Sequence, residues 1–175
     1  EMGGQLRIIR DGVLQAEPIP GMPEVFHDGP SKGLMDIALH PEFAENNLVY
    51  FTYDKAGDDG VTVALARGVF DGTELSDVED VFIADAWAMT NGRQNGRITF
   101  GRDGSIFMSA SAGGRPNLGL SQELDNHAGK ILRLRDDGSV PNDNPFVGRA
   151  GASPEIFTYG HQNIHAMAMH PVTGD

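Results

Sequence analysis

The amino-acid sequence predicts an all-β fold made of short antiparallel strands joined by turns. Short apolar runs end at turn sequences such as Asp103-Gly104, and the helical period is almost absent. One strand–turn–strand unit also recurs, with Leu39, Phe100 and Met169 at equivalent positions that lie 61 and 69 residues apart. A repeat of this kind is typical of a β-propeller, in which each period builds one blade.

The individual elements follow from the alternation of apolar and polar residues and from the turns between them. We predict strands, in chain order, at residues 3–12, 37–39, 48–53, 61–70, 78–84, 98–109 (a hairpin), 129–135 and 155–159, with a further unit beginning at 167. Segments rich in Gly, Pro or polar residues predict loops, and only 120–127 could form a short helix. The residues expected to be buried between sheets are Leu39, Phe51, Ile98, Phe107, Leu132, Phe157 and Met167.

Length and composition limit the possible classes of protein. The chain of 175 residues has no internal linker, so residues 1–175 are expected to form one domain. The net charge of −12 argues against a nucleic-acid partner, because phosphate binding requires a basic surface. No apolar run approaches the ~18 residues of a membrane span, and without cysteine the redox compartment is undetermined.

Four motifs of the sequence resemble those of a known family, the pyrroloquinoline-quinone-dependent sugar dehydrogenases. This family includes soluble glucose dehydrogenase, aldose dehydrogenases and the glucose/sorbosone dehydrogenase group. The motifs occur in the family's order at residues 33–43, 126–135, 137–146 and 159–163, and they cover nearly the whole chain. Each motif alone is of modest specificity, but together they are specific for the fold.

The resemblance implies a six-bladed β-propeller of antiparallel four-stranded blades, with pyrroloquinoline quinone next to calcium in a cleft on one face. It implies oxidation of an aldose, a small-molecule sugar, at the anomeric carbon, by a protein that is periplasmic or secreted. Family members extend further at both ends. Residues 1–175 are therefore expected to form a truncated, partial propeller of two to three blades, about half of the ring, with the remaining blades missing from this chain.

This reaction requires a base for the hydroxyl proton, best a His oriented by a carboxylate, and cations that bind the carboxylates of the cofactor. The resemblance places the base at Arg93 and its orienting carboxylate at Ala112. It places cofactor contacts at Ser31, Gln162 and Asn163, where Gln162 stands in place of an Arg. Arg93 stays protonated near neutral pH, so it cannot act as an ordinary general base.

Other polar residues have a structural interpretation beside a functional one. His40 follows a strand and precedes Pro41, so it is expected to satisfy backbone groups in a turn. Lys130 lies at the start of a predicted strand and is also expected to be structural. His161 and His165 lie in a loop that would face the central cleft, so a role in the site stays open for both.

One acidic turn is a possible calcium site. It contains four side chains that offer oxygen ligands, namely Asp136, Asp137, Asn142 and Asp143. The spacing of an EF-hand is absent, and a solvated turn is the favoured interpretation. No metal ligand is therefore assigned to this chain, and calcium is expected only from the resemblance.

Three classes of function stay open at this point. The first is a sugar dehydrogenase that uses a quinone, as the resemblance implies. The second is a catalytically degenerate propeller that binds a carbohydrate or a protein, which the replacement of the base by Arg93 favours. The third is a propeller hydrolase such as a calcium-dependent lactonase, for which the sequence contains no feature of its own. A shared fold does not decide between them, because unrelated functions occur on the same propeller.

Overall fold

The computed structural model describes residues 1, 3–29, 32–88, 94–113 and 115–174, with the backbone alone for 115–118. The ten strands are β1 Ile9–Arg10, β2 Val13–Leu14, β3 Leu34–Leu39, β4 Leu48–Gly57, β5 Gly60–Phe70, β6 Leu75–Ile83, β7 Ile98–Phe100, β8 Ile106–Ala110, β9 Lys130–Leu134 and β10 Ile156–Tyr159. Two short helices are placed among the described residues, α1 Phe43–Asn46 and a 3-10 helix at Arg115–Gln122.

The strands form two four-stranded antiparallel sheets and one small hairpin. The first sheet has the order β3-β4-β5-β6, and the second has the order β7-β8-β9-β10. The chain thus enters each sheet at one edge strand and moves strand by strand to the other edge. Strands β1 and β2 pair as a separate hairpin near the N-terminus. The predicted fold class is confirmed: the protein is all-β, and its sheets are four-stranded propeller blades.

The main apolar core lies between the two sheets. Side chains of β4 and β5, such as Tyr50 and Leu65, pack there with Met108 and Leu132 of the second sheet. The opposite face of the first sheet is also covered, because Phe51 and its neighbours pack against the N-terminal segment. Successive side chains of a strand point to opposite faces. Burial on both faces therefore explains the continuous runs of buried residues in β4 and β5.

The first strands of the two sheets lie beside each other and fix the relative position of the blades. The Arg97 side chain donates a hydrogen bond from Nη1 to the Met35 carbonyl oxygen over 3.0 Å. The backbone N–H of Ile98 donates to Asp36 Oδ2, also over 3.0 Å. The loops that lead into β3 and β7 therefore reach the same end of the sheets, which we call the upper edge.

The burial predicted from the sequence is correct at three positions and wrong at two, and the remaining two, Phe107 and Met167, are only partly buried. Phe51, Ile98 and Leu132 are buried, but Leu39 is 55% exposed and Phe157 is 37% exposed. Phe157 packs edge to face on Phe107, with ring centroids 5.0 Å apart, on the outer face of the second sheet. The pattern of alternation shows which residues share a face, but it does not show whether another layer covers that face.

The same outer face borders an apolar groove that has a volume of about 490 Å³ and is lined in part by Met167 and Met169. The unit predicted to begin at Met167 contains a turn at 171–173, but no strand occurs among the described residues 160–174. Strand geometry depends on a hydrogen-bonded neighbour, and no described strand pairs with this segment. Among the described residues, no helix has the length and apolar character needed to cross a membrane.

Candidate functional site

A cluster of polar side chains at the upper edge forms the centre of the candidate site. Asn95 precedes β7, Ser111 follows β8, and Asn163 and His165 follow β10. Asn163 Oδ1 accepts hydrogen bonds from the Asn95 amide and, over 3.4 Å, from Ser111 Oγ. Its Nδ2 donates to His165 Nε2 over 3.1 Å. We call these four residues the Asn163 cluster.

The hydrogen bonds of the Asn163 cluster determine the state of its histidine. The Asn163 amide nitrogen can only donate, so the Nε2 atom of His165 must be the acceptor. In the neutral imidazole the proton therefore lies on Nδ1, and Nε2 carries a lone pair. His165 is exposed, so a ligand at the upper edge can reach it.

Backbone hydrogen bonds hold the loop after β10 against the second sheet. The Ala112 N–H donates to the Gln162 carbonyl oxygen over 3.1 Å, and the His161 N–H donates to the Gly129 carbonyl oxygen over 3.0 Å. His161 Nε2 also contacts Thr158 Oγ1 at 2.8 Å. His161 is thus engaged with the blade itself, whereas the Gln162 side chain is exposed to solvent.

A buried ion pair lies beneath the upper edge. Lys32 Nζ is 3.7 Å from Asp54 Oδ1, and the two side chains are 2% and 1% exposed. Among the described residues, neither of these atoms has a hydrogen-bond partner, although Asp54 Oδ2 accepts from the Gly33 N–H over 2.8 Å. Burial raises the pKa of the Asp54 carboxyl, and the Gly33 hydrogen bond and the Lys32 charge oppose that effect.

The position of this pair follows from the alternation along β4. Thr52 and Asp54 are two residues apart and so share a face of the strand. Thr52 Oγ1 donates to the Gly96 carbonyl oxygen, which places that face against the loop leading into β7. The Lys32–Asp54 pair therefore lies on the side of the first blade that faces the loop before β7.

The same loop is anchored by a buried amide. Gln94 donates from Nε2 to the carbonyl oxygens of Val61 and Ala86, at 3.1 and 2.9 Å. Its Oε1 atom is buried and has no hydrogen-bond partner within the part of the chain that the structure describes. The loop before β7 is thus fastened to the first sheet on the N-terminal side of Asn95.

The structure describes some, but not all, of the site residues predicted from the sequence. Gln162 and Asn163 lie together at the upper edge, and Asn163 is the centre of the cluster. Ser31 and Arg93 lie outside the described residues. Ala112, the position of the orienting carboxylate, is 1% exposed and contributes a backbone N–H.

Sequence reasoning missed Asn95, Lys32 and Asp54. Asp54 gave a usable signal, because a carboxylate directly after a strongly apolar strand needs a partner when it is buried. Lys32 and Asn95 gave none, since their contacts come from residues distant in the sequence.

The cofactor expected from the family is a quinone that carries carboxylates. Such a group is bound by cations and amide N–H donors. The charges of Lys32 and Arg97 are already paired, with Asp54 and Asp36, each at 3.7 Å. The Gln162 amide is exposed, so its N–H donors at the upper edge fit an anionic cofactor. Within the described residues, no group of three or more His, Asp or Glu side chains is placed to hold a metal ion.

Lys130 lies behind the site and has the structural role expected for it. Its side chain is fully buried, and Nζ donates to the carbonyl oxygens of Ala128 and Leu120 at 2.6 and 2.9 Å. The Asn126 side chain lies at 3.5 Å from the same nitrogen. Burial lowers the pKa of Lys130 to about 8. The ammonium group thus ties the loop before β9 to the strand.

Comparisons with known proteins agree with the resemblance seen in the motifs. The family profile "Glucose / Sorbosone dehydrogenase" matches residues 1–175. An uncharacterized protein of Synechocystis is 40% identical over 99% of this chain and 46% of its own length. The aldose sugar dehydrogenase of Escherichia coli is 35% identical over 97% of this chain and 46% of its own length. The chain thus spans about half the length of these relatives.

Solved structures show the same relation. The soluble aldose sugar dehydrogenase of Escherichia coli in its apo-form has a TM-score of 0.90 at 32% identity, covering 99% of this chain and 50% of that one. The PQQ-bound aldose sugar dehydrogenase of Streptomyces coelicolor has a TM-score of 0.73 at 28% identity, covering 92% and 46%. The predicted resemblance is confirmed. The chain belongs to the glucose/sorbosone dehydrogenase family.

Proposed function

We propose that the full-length protein is a periplasmic or secreted sugar dehydrogenase that oxidises an aldose at the anomeric carbon with pyrroloquinoline quinone. We further propose that residues 1–175 form a partial propeller that contributes one side of the active site. The observation that carries this proposal is the convergence of Asn95, Ser111, Asn163 and His165 at the upper edge. Relatives named aldose sugar dehydrogenase and quinoprotein glucose dehydrogenase support it.

Aldose oxidation removes a proton from the anomeric hydroxyl and two electrons with the anomeric hydrogen. The quinone, when bound, supplies the electrophile that accepts those electrons. The protein must supply the base, and the protonated guanidinium of Arg93 does not meet that need. We assign this role to His165, whose Nε2 lone pair already accepts a hydrogen bond from Asn163. A sugar hydroxyl that replaces the amide as the donor to Nε2 would transfer its proton to that atom.

Binding and orientation fall to the neighbouring residues. Asn163 fixes the imidazole of His165, and Asn95 and Ser111 in turn fix Asn163. Gln162 would donate to a carboxylate of the cofactor, in place of the Arg that the family has at this position. Calcium remains an expectation from the family, and no described side-chain group is assigned to it.

The experiment measures aldose oxidation by the full-length protein with the quinone, calcium and an artificial electron acceptor. We expect His165→Ala to lower kcat by about 10²–10⁴-fold, the usual worth of a general base, with cofactor absorbance unchanged. His161→Ala is the matched comparison, because His161 contacts Thr158 rather than the cluster. Unchanged turnover in His165→Ala would remove His165 from the mechanism.

A second set of variants tests whether the site is degenerate. Arg93→His, Ala112→Asp and Gln162→Arg together restore the residues of the family pattern. If turnover occurs only in this triple variant, the wild-type protein is a propeller that binds a carbohydrate or a protein without oxidising sugar. Robust wild-type turnover supports the dehydrogenase assignment.

A further inference from the structure

A second polar cleft lies at the lower edge of the sheets, where β3 and β7 end, away from the Asn163 cluster. Its volume is about 720 Å³, within the range of small-molecule sites. It is formed by three turns of the chain, at residues 40–42, 101–105 and 135–143. Its polar lining includes His40, Asp103, Arg133, Arg135, Asp136 and Asp143.

His40 presents one donor to this cleft. Its Nδ1 accepts hydrogen bonds from the Glu42 N–H at 3.0 Å and from the Asn46 amide at 2.7 Å. In the neutral ring the proton must therefore lie on Nε2. The side chain is only 10% exposed and packs against Phe100, with ring centroids 5.5 Å apart. The ring is thus held in one orientation by both its hydrogen bonds and its packing.

The Nε2 atom of His40 faces a carboxylate at a distance that leaves both groups available. Nε2 is 3.9 Å from Asp136 Oδ2, which is too long for a hydrogen bond. A hydroxyl oxygen placed about 2.8 Å from each atom would accept from Nε2 and donate to Oδ2. The pair is therefore spaced to bind a group that is donor and acceptor at once.

The rest of the lining combines fixed and free polar groups. Arg133 is held by Asp103 Oδ2 at 2.7 Å and by Asp143 Oδ1 at 2.9 Å, so its charge is neutralised within the cleft. Arg135 makes no side-chain hydrogen bond among the described residues and is exposed. It adds planar N–H donors next to Asp136 in the sequence.

The charges and the hydrogen-bond donors and acceptors that line the cleft indicate which class of ligand fits it. The lining holds four carboxylates and three guanidinium groups, so neither a free anion nor a cation meets a surface of uniformly opposite sign. Planar groups that together offer donors and acceptors match the vicinal hydroxyls of a polyol. We propose that the lower-edge cleft binds a neutral carbohydrate, with one hydroxyl between His40 Nε2 and Asp136 and a neighbouring hydroxyl at Arg135. This site is separate from the proposed active site and does not depend on it.

The test follows backbone amide NMR signals of the full chain while glucose or maltose is added. We expect saturable shifts at Gly104, Ser105 and Arg135, which lie at the cleft. Asp136→Ala and Arg135→Ala should each weaken binding roughly tenfold or more, the worth of one hydrogen bond to a charged group. Asp58→Ala is the matched control, because Asp58 is an exposed acid in the β4–β5 turn at the other edge.

Several results would overturn the proposal. If neither sugar produces saturable shifts, the cleft is not a carbohydrate site. If both variants bind the sugar as tightly as the wild-type protein does, the sugar binds elsewhere. Binding of gluconate without binding of glucose would make this an anion site. Because Asp136 is half exposed, its substitution should leave the thermal unfolding curve unchanged, which confirms that any loss of binding is local.

Discussion

Lys130 gives the sharpest quantitative prediction, because it is a fully buried ammonium group that can be tested through pH. Its pKa is lowered from an ordinary value of 10.5 to about 8 by burial. The unfolded chain therefore keeps a proton between these two pH values that the folded protein has lost. Stability contributed by the neutral amine is fully present above pH 10.5 and is lost as pH falls through 8.

The magnitude follows from the size of this shift. Each pKa unit corresponds to 1.36 kcal/mol, so the free energy of unfolding should rise by about 3 kcal/mol from pH 7 to pH 10.5. Lys130→Met removes this rise. At high pH the variant should also be less stable than wild type by about 2 kcal/mol or more, because the buried carbonyl oxygens of Leu120 and Ala128 lose their donor.

The assay is urea unfolding of both full-length proteins at a series of pH values between 7 and 10.5. The quantity of interest is the difference between the two curves, because other groups contribute equally to both. Burial raises the pKa values of Tyr50 and Tyr53, which lowers stability above about pH 10 in either protein. Two parallel curves, with a constant difference across the range, would refute the reasoning.

Two further predictions concern the upper and lower edges. Gly129→Ala should destabilise the loop after β10 and weaken cofactor binding, because a Cβ there would overlap the His161 carbonyl oxygen at a φ of +68°. Gly148→Ala has a similar φ of +76° without any atom nearby, so it should cost only about 1 kcal/mol in urea unfolding. Arg133 lowers the pKa of Asp103 to about 2, and the resulting stability is lost as pH falls from 4 towards 2. Arg133→Gln should reduce this acid dependence, which solvent screening limits to about 1 kcal/mol, while the Ser105 hydrogen bonds to Asp103 keep part of it. A steeper acid loss in the variant would contradict this.

The motifs of the sequence were sufficient for the family, the all-β class and the order of the strands. The turn at Asp103-Gly104 is a local feature, and it forms where predicted, with Gly104 at a φ of +79°. Gln162 and Asn163 were found from their motif, since residues adjacent in the sequence stay adjacent in a loop. The exposure of Leu39 was not predicted, because the alternation along β3 is compatible with either a covered or an open face.

The sequence by itself determined most of the strands, their order and the loops that carry the polar residues, because turn chemistry and strand periodicity act over a few neighbouring residues. The tertiary structure alone decided which of those residues meet. Asn95 and Asn163 are far apart in the chain, and they come into contact because the start of β7 and the end of β10 lie at the same edge of the second sheet. His40 and Asp136 come close at the opposite edge because the first blade packs against the second. Contacts of this kind depend on the packing of one blade against another, which no local pattern in the sequence encodes.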